Sequence, residues 1–154
     1  MNRSFRSPRH ARGISLIEVM ISVLILGVGM LGIAAMQTTA LRNNQSAMQR
    51  SQVVIQTYTI LDAMRANRDQ ALIGSYNTGG MICAAPTGDT LVAKDQAMWI
   101  TSLKATLADA DSTCGSINCD DGSCTITVQW DESRAKDLAG DGEQEQKILT
   151  VTQL

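Results

Sequence analysis

Few residues in this chain could do chemistry: four cysteines (Cys83, Cys114, Cys119 and Cys124), an acidic trio (Asp137, Asp141 and Glu143), and one carboxylate, Glu18, set near the start of a long apolar run. The cysteines contain no C-x-x-C pair, which argues against a dithiol redox centre. Four residues separate each neighbour among Cys114, Cys119 and Cys124, and the one histidine, His10, sits far away in a basic leader, so a zinc knuckle is disfavoured. An even cysteine count in a small domain behind an export-type segment favours disulfides. Asp137, Asp141 and Glu143 could offer oxygens to calcium, but their spacing does not fit the D-x-[DN]-x-[DN]-G loop, and an acidic solvated connection explains them better. There is no G-x-S-x-G and no Walker pattern. Asp131 and Glu132 are adjacent, so on a strand they point to opposite faces. The residues describe no active site, and neither an enzyme nor a cofactor is expected.

Glu18 needs a different explanation. Arg3, Arg6, Arg9 and Arg12 precede Gly13, and from Ile14 to Met36 Glu18 is the one charged residue. As a helix, such a run of about 23 residues spans roughly 34 Å, enough to cross a hydrocarbon core. The arginines mark the cytoplasmic side. The run is too long for the apolar core of a secretory signal followed by a small-x-small cleavage site. A plain anchor accounts for its length and orientation but not for Glu18, because a carboxylate in an apolar helix costs a few kcal/mol unless it is neutralised, reaches the interface or meets a cation. Interaction with the helix dipole is the bland alternative for an acid so near the helix start.

The stretch "RGISLIEVMISVLILG" resembles the class III signal of type IV pilins and related pseudopilins. That signal joins a short basic leader to Gly13, then an apolar residue, with Glu18 fifth in the mature chain. The resemblance implies cleavage after Gly13 by a prepilin peptidase on the cytoplasmic side, followed by N-methylation of Ile14. Members usually have Phe where Ile14 stands. It further implies that Glu18 pairs with the free amino terminus of a neighbouring subunit during filament assembly. Opposite charges attract strongly where the dielectric is low, and a lone buried charge is expensive, so such a pair acts as a register device.

The segments that follow must carry this signal. Gly27, Gly29 and Gly32 interrupt the apolar run, either for close helix packing or as ordinary membrane-helix composition. From Ile33 to Ile73 there is neither Gly nor Pro. Leu41, Met48 and Ile55 recur every seven residues, and Val54, Tyr58 and Leu61 form a stripe at helical spacing; both read as core-facing. One helix of about 50 residues is the simplest account. "IGSYNTGGMICAAPTGDT" reads as a loop to about Thr90. A short amphipathic helix over 95–110 has Asp95 near its amino end, with Met98 and Trp99 at its edge or against the long helix. Asp120, Asp121, Gly122 and Ser123 make a turn between β-prone runs. In Thr125–Trp130, Ile126, Val128 and Trp130 share one face, and Lys147–Leu154 is a further strand candidate.

These elements predict an α+β protein: a leader (1–13), an apolar spine half (14–36), an amphipathic spine half (37–68), and a disulfide-stabilised head (69–154) with a small antiparallel sheet. "AMWITSL", "CTITVQWDES" and "LTVTQL" resemble the head of a minor type IV pilin. Four cysteines allow three connectivities. Cys119 and Cys124 flank the turn where cross-strand neighbours could meet, which would leave Cys83 to tie its loop to Cys114. A bridge closing about 30 residues would contribute a few kcal/mol, useful in a chain with one Phe, two Trp and two Tyr.

Net charge is -2 overall, but from Asp69 to Leu154 there are 13 acids against 5 bases. Such a field repels phosphate backbones, and nucleic-acid binding is not expected. The expected partners are a prepilin peptidase, other minor pilins, major pilin subunits and the inner membrane, with the head first periplasmic and later on the cell surface. A minor pseudopilin of a type II secretion system shares the signal. A periplasmic binding module on an ordinary anchor is the alternative from another class.

Overall fold

The computed structural model describes residues 13–107, 111–132 and 145–154. Its order is α1 (Leu16–Ala66), α2 (Arg68–Leu72), α3 (Leu91–Thr106), β1 (Cys114–Asp120), β2 (Ser123–Asp131) and β3 (Glu145–Gln153). The architecture is α+β, a long amino-terminal helix with one three-stranded antiparallel sheet in the order β1-β2-β3. The chain divides into two compact units, Met1–Thr38 and Thr39–Leu154.

In the first unit α1 runs without a break because nothing in it removes a backbone donor; Gly is tolerated and Pro is absent. Its apolar side chains are exposed, among them Val23, Leu26 and Leu31. A Cβ added at Gly27, Gly29 or Gly32 would meet nothing within 4 Å. The helix is long and apolar enough to cross a membrane by length and composition.

In the second unit α1 buries Val53, Thr57, Ile60, Leu61 and Met64. Thr57 Oγ1 donates to the Val53 carbonyl at 2.9 Å, so its buried hydroxyl is satisfied. This corrects the expectation drawn from the two stripes. Leu41, Met48, Val54, Ile55 and Tyr58 are exposed, and Leu61 alone among those six residues is buried. The physical reason is angular: at 3.6 residues per turn, Val53 and Thr57 project from nearly the opposite side to Ile55. A seven-residue recurrence identifies a stripe but not the side on which the core lies.

α3 also differs from expectation. It begins at Leu91, where Thr90 Oγ1 caps it by accepting from Ala93 N–H at 3.2 Å. Asp95 therefore lies inside the helix rather than at its amino end. Residues 108–110 of the expected helix lie outside the described residues, and its final described turn ends at Thr106. Met98 is exposed, whereas Trp99 is buried and packs beneath Gly115 of β1.

The β1–β2 hairpin turns on Asp121 (φ 47°) and Gly122 (φ 77°). Two successive residues at positive φ match the right-handed twist of the strands, and Asp-Gly is a favoured pair for this turn. The hairpin register places Cys119 opposite Cys124. Ile126, Val128 and Trp130 are buried on one face of β2. Ile148 of β3 packs against the same core. The largest fully buried side chains include Trp130 and Tyr76, so aromatic residues fill more of the interior than their small number suggests.

The segment read as a loop is structured along much of its length. After α2, Gly74 (φ 77°) turns the chain and Tyr76 enters the core. Residues 77–82 then cover the outer margin of β1. Asn77 Nδ2 donates to the Cys119 carbonyl at 3.1 Å while Asn77 Oδ1 accepts from Cys119 N–H at 2.7 Å. Thr78 N–H donates to the Ile117 carbonyl at 3.0 Å, and Ile117 N–H donates to Thr78 Oγ1 at 3.1 Å. Ile82 and Gly115 exchange both backbone bonds at 2.8 and 2.9 Å. An edge that would template foreign strands is thereby closed.

Tyr76 anchors this segment. Its hydroxyl donates to Asp95 Oδ2 at 2.6 Å and accepts from Asn67 Nδ2 at 3.3 Å, while its carbonyl accepts from Gln96 Nε2 at 2.8 Å. Burial, and then the hydrogen bond to Asp95, push the phenol from 10.0 up to about 12. In the unfolded chain it ionises near its ordinary value. Its contribution to stability is therefore complete below pH 10 and is lost as pH rises towards 12. Tyr76→Phe is expected to flatten this alkaline limb, read as the thermal midpoint against pH. An unchanged slope between the two proteins would contradict the assignment.

Candidate functional site

The candidate site is the entry to α1. Ser15 stands just before the helix, and its carbonyl accepts from Glu18 N–H at 3.0 Å and Val19 N–H at 3.3 Å. Glu18 is thus the third residue of the helix, in its first turn, where unsatisfied N–H groups and the helix dipole favour negative charge. Ser15-Leu16-Ile17-Glu18 also has the S-x-x-E pattern of a capping box, a local signal that counting from Gly13 overlooks. Ser22 Oγ donates to the Glu18 carbonyl at 2.7 Å, one turn on.

Gly13, Ile14 and Glu18 all lie exposed, with Ile14 at 76%. Glu18 takes part in neither of the two ion pairs found among the described residues, Arg50–Glu132 and Arg65–Asp62. In the single subunit the acid is presented rather than consumed. An exposed apolar surface surrounds it, formed by Leu16, Ile17, Val19 and Ile21. Chemically, the entry offers a Gly13-Ile14 junction and a carboxylate four residues beyond Ile14.

The cysteines are far from this entry in sequence and belong to the second unit. Cys83 is bonded to Cys114, and Cys119 to Cys124. The first bridge adjoins the Ile82–Gly115 backbone pair, and the second joins residues opposite one another in the hairpin. Asp137, Asp141 and Glu143 lie outside the described residues. Among the described residues, no group of three or more His, Cys, Asp or Glu side chains could hold a metal ion. Asp131 is half-buried and Glu132 is buried, its Oε2 lying 3.7 Å from Arg50 Nη2. Arg50 also donates to Gln146 Oε1 at 2.9 Å. That contact between α1 and the end of β2 had no sequence signal, because Arg50 and Glu132 lie 82 positions apart.

Residues 8–34, well under half of the chain, match the family model for the prokaryotic N-terminal methylation motif. The match supports a type IV pilin-like protein. Comparison with curated proteins and with solved structures gives no match. A class III signal of this kind implies processing by a prepilin peptidase, and the apolar helix that follows fits a membrane-anchored pilin. For a type IV pilin-like chain, the geometry at Gly13, Ile14 and Glu18 acquires a coherent reading.

Proposed function

We propose that the protein is a minor pilin of a type IV pilus, similar to PilV, that helps to prime filament assembly as part of a minor-pilin tip complex. It inserts in the inner membrane with its head in the periplasm, loses residues 1–13 and is methylated on Ile14. Glu18 then pairs with the bared amino terminus of an adjoining subunit, and the head contacts other minor pilins and the major pilin at the cell surface. The role is structural, not catalytic.

The observation that carries this reading is the methylation motif ending in a long, exposed apolar helix whose first turn bears one acid. In the bilayer or in a filament core that acid has few ways to be stabilised, and the ammonium created by cleavage is the nearest in kind. Intact mass of the mature amino terminus tests it. A chain beginning at Ile14 and carrying one added methyl is expected; a chain that retains residues 1–13 would instead favour an anchored periplasmic module. Deletion separates the two filament systems, since loss of twitching fits the pilus and loss of protein secretion fits a pseudopilin.

A further inference from the structure

The two disulfides differ in what surrounds them. Of the four bridged cysteines, Cys114, Cys119 and Cys124 are buried, at 7%, 8% and 0% exposure, whereas Cys83 is exposed. The hairpin bridge therefore lies wholly within the head, while the flap bridge has one buried end and one end at the surface. Thiol–disulfide exchange begins when a thiolate attacks one sulfur of the bridge, so access to that sulfur governs the rate. Burial closes the approach at Cys114, Cys119 and Cys124 and leaves Cys83 within reach. The chain on its carboxyl side is open as well. Every residue from Cys83 to Asp89 is exposed except half-buried Pro86, and among the described residues none from Ala84 to Asp89 makes a hydrogen bond. The stretch belongs to no helix or strand and bears no charge before Asp89. Free N–H and C=O groups beside an accessible sulfur suit a polypeptide that lays an extended segment against them, and a small thiol gains nothing from them. On the amino side the chain is fixed instead. Ile82 packs against the core and exchanges two backbone bonds with Gly115, at 2.8 and 2.9 Å. Because Gly115 follows Cys114, that pair keeps the two sulfurs close together whether or not they are joined.

We propose that Cys83 is the exchange point of the head: a thiol–disulfide oxidoreductase, a protein bearing a reactive dithiol, engages residues 83–89 and opens or closes the Cys83–Cys114 bridge while the fold stays intact. In the opening direction the partner's thiolate attacks Cys83 Sγ, the bond to Cys114 breaks, and Cys114 leaves as a thiolate that takes a proton from solvent. The partner's second thiol, as its thiolate, then attacks the partner sulfur of the mixed disulfide. Cys83 is released and protonated, and the partner departs as its own disulfide. Two electrons have passed from the partner's dithiol to the bridge. Closing runs the same steps backwards, with the partner supplied as its disulfide. The Cys119–Cys124 bridge takes no part. This inference concerns the head and does not depend on processing at Gly13.

The test uses the full-length, disulfide-intact protein in detergent micelles. It is exposed for short times either to dithiothreitol or to a thioredoxin whose second active-site cysteine is changed to serine, which traps the mixed disulfide. Mass mapping of alkylated thiols is expected to show Cys83 and Cys114 released at least roughly tenfold faster than Cys119 and Cys124, with circular dichroism unchanged. The trapped thioredoxin should sit on Cys83. Ala85→Pro removes one N–H from a position that Pro86 already biases towards extended backbone. It should slow capture by the thioredoxin roughly tenfold and leave the rate with dithiothreitol unchanged. The proposal is overturned if both bridges open together, if the adduct forms on Cys114, or if the head unfolds before its thiols appear. It is equally overturned if Ala85→Pro slows both reagents alike or slows neither.

Discussion

Glu18→Leu is expected to keep the subunit out of the filament while cleavage after Gly13 proceeds. The substitution makes the helix more apolar, so membrane insertion is not impaired. In the proposed filament what is lost is the partner of a neighbouring subunit's buried ammonium, and removing one member of a buried pair costs about 3–5 kcal/mol. At about 1.4 kcal/mol per decade this lowers incorporation by at least roughly a hundredfold. Glu18→Gln, which keeps the size and removes the charge, should behave in the same way. The measurement compares the subunit in sheared filaments with that in the membrane fraction, alongside the amino-terminal mass. Incorporation at the level of the unmodified protein would remove the basis of the proposed assembly role. A loss of insertion or cleavage would show instead that Glu18 acts earlier, as a helix-start acid.

Gly115→Val is expected to be the most damaging single change in the head. A Cβ at Gly115 would lie 2.5 Å from Trp99 Cη2, 2.8 Å from Trp99 Cζ3 and 3.2 Å from Ile100 Cδ1. The indole is rigid and 2% exposed, so it cannot step aside into solvent. The strand cannot retreat either, because Gly115 exchanges both backbone bonds with Ile82 and its neighbour Cys114 is bridged to Cys83. Overpacking of this kind costs about 3 kcal/mol or more, a large part of the stability of a domain this size. The urea midpoint of the oxidised protein should fall accordingly. Trp99→Leu, though destabilising alone, should partly restore a Gly115→Ala chain, since the smaller side chain vacates the contested space. An unchanged midpoint for Gly115→Val would show that the close approach of β1 to α3 is wrong.

The α+β architecture was legible in the sequence because its main signals are local. No Gly or Pro falls between Ile33 and Ile73, which favours one unbroken helix, and Asp121-Gly122 supplies the two positive-φ residues that a tight hairpin needs. The motif at the entry to α1 was legible because it is a pattern of residues close together along the chain, and it is matched over residues 8–34. Other features depend on partners remote in sequence. Tyr76, in a Gly- and Asn-rich stretch, is buried because Asn67, Asp95 and Gln96 meet its polar groups from two other segments. Leu41, Met48 and Ile55 carry a true helical period, but only the packed structure shows that α1 turns Val53, Thr57 and Ile60 inward instead. Asp95 is the more conspicuous acid near the start of α3, but the Thr90 hydroxyl is the group that caps the helix.

The Cys83–Cys114 bridge also sets a schedule. It rivets the flap over β1 at the residue following Ile82, and its two thiols lie 31 positions apart, whereas Cys119 and Cys124 are brought together by a hairpin of five. Before oxidation the flap rests on hydrogen bonds and on the packing of Tyr76 and Ile82, and each time it lifts, β1 offers a vacant margin for stray strands. Closing the Cys83–Cys114 bridge therefore does more than stiffen the head: it locks the flap down before crowded copies can zip together.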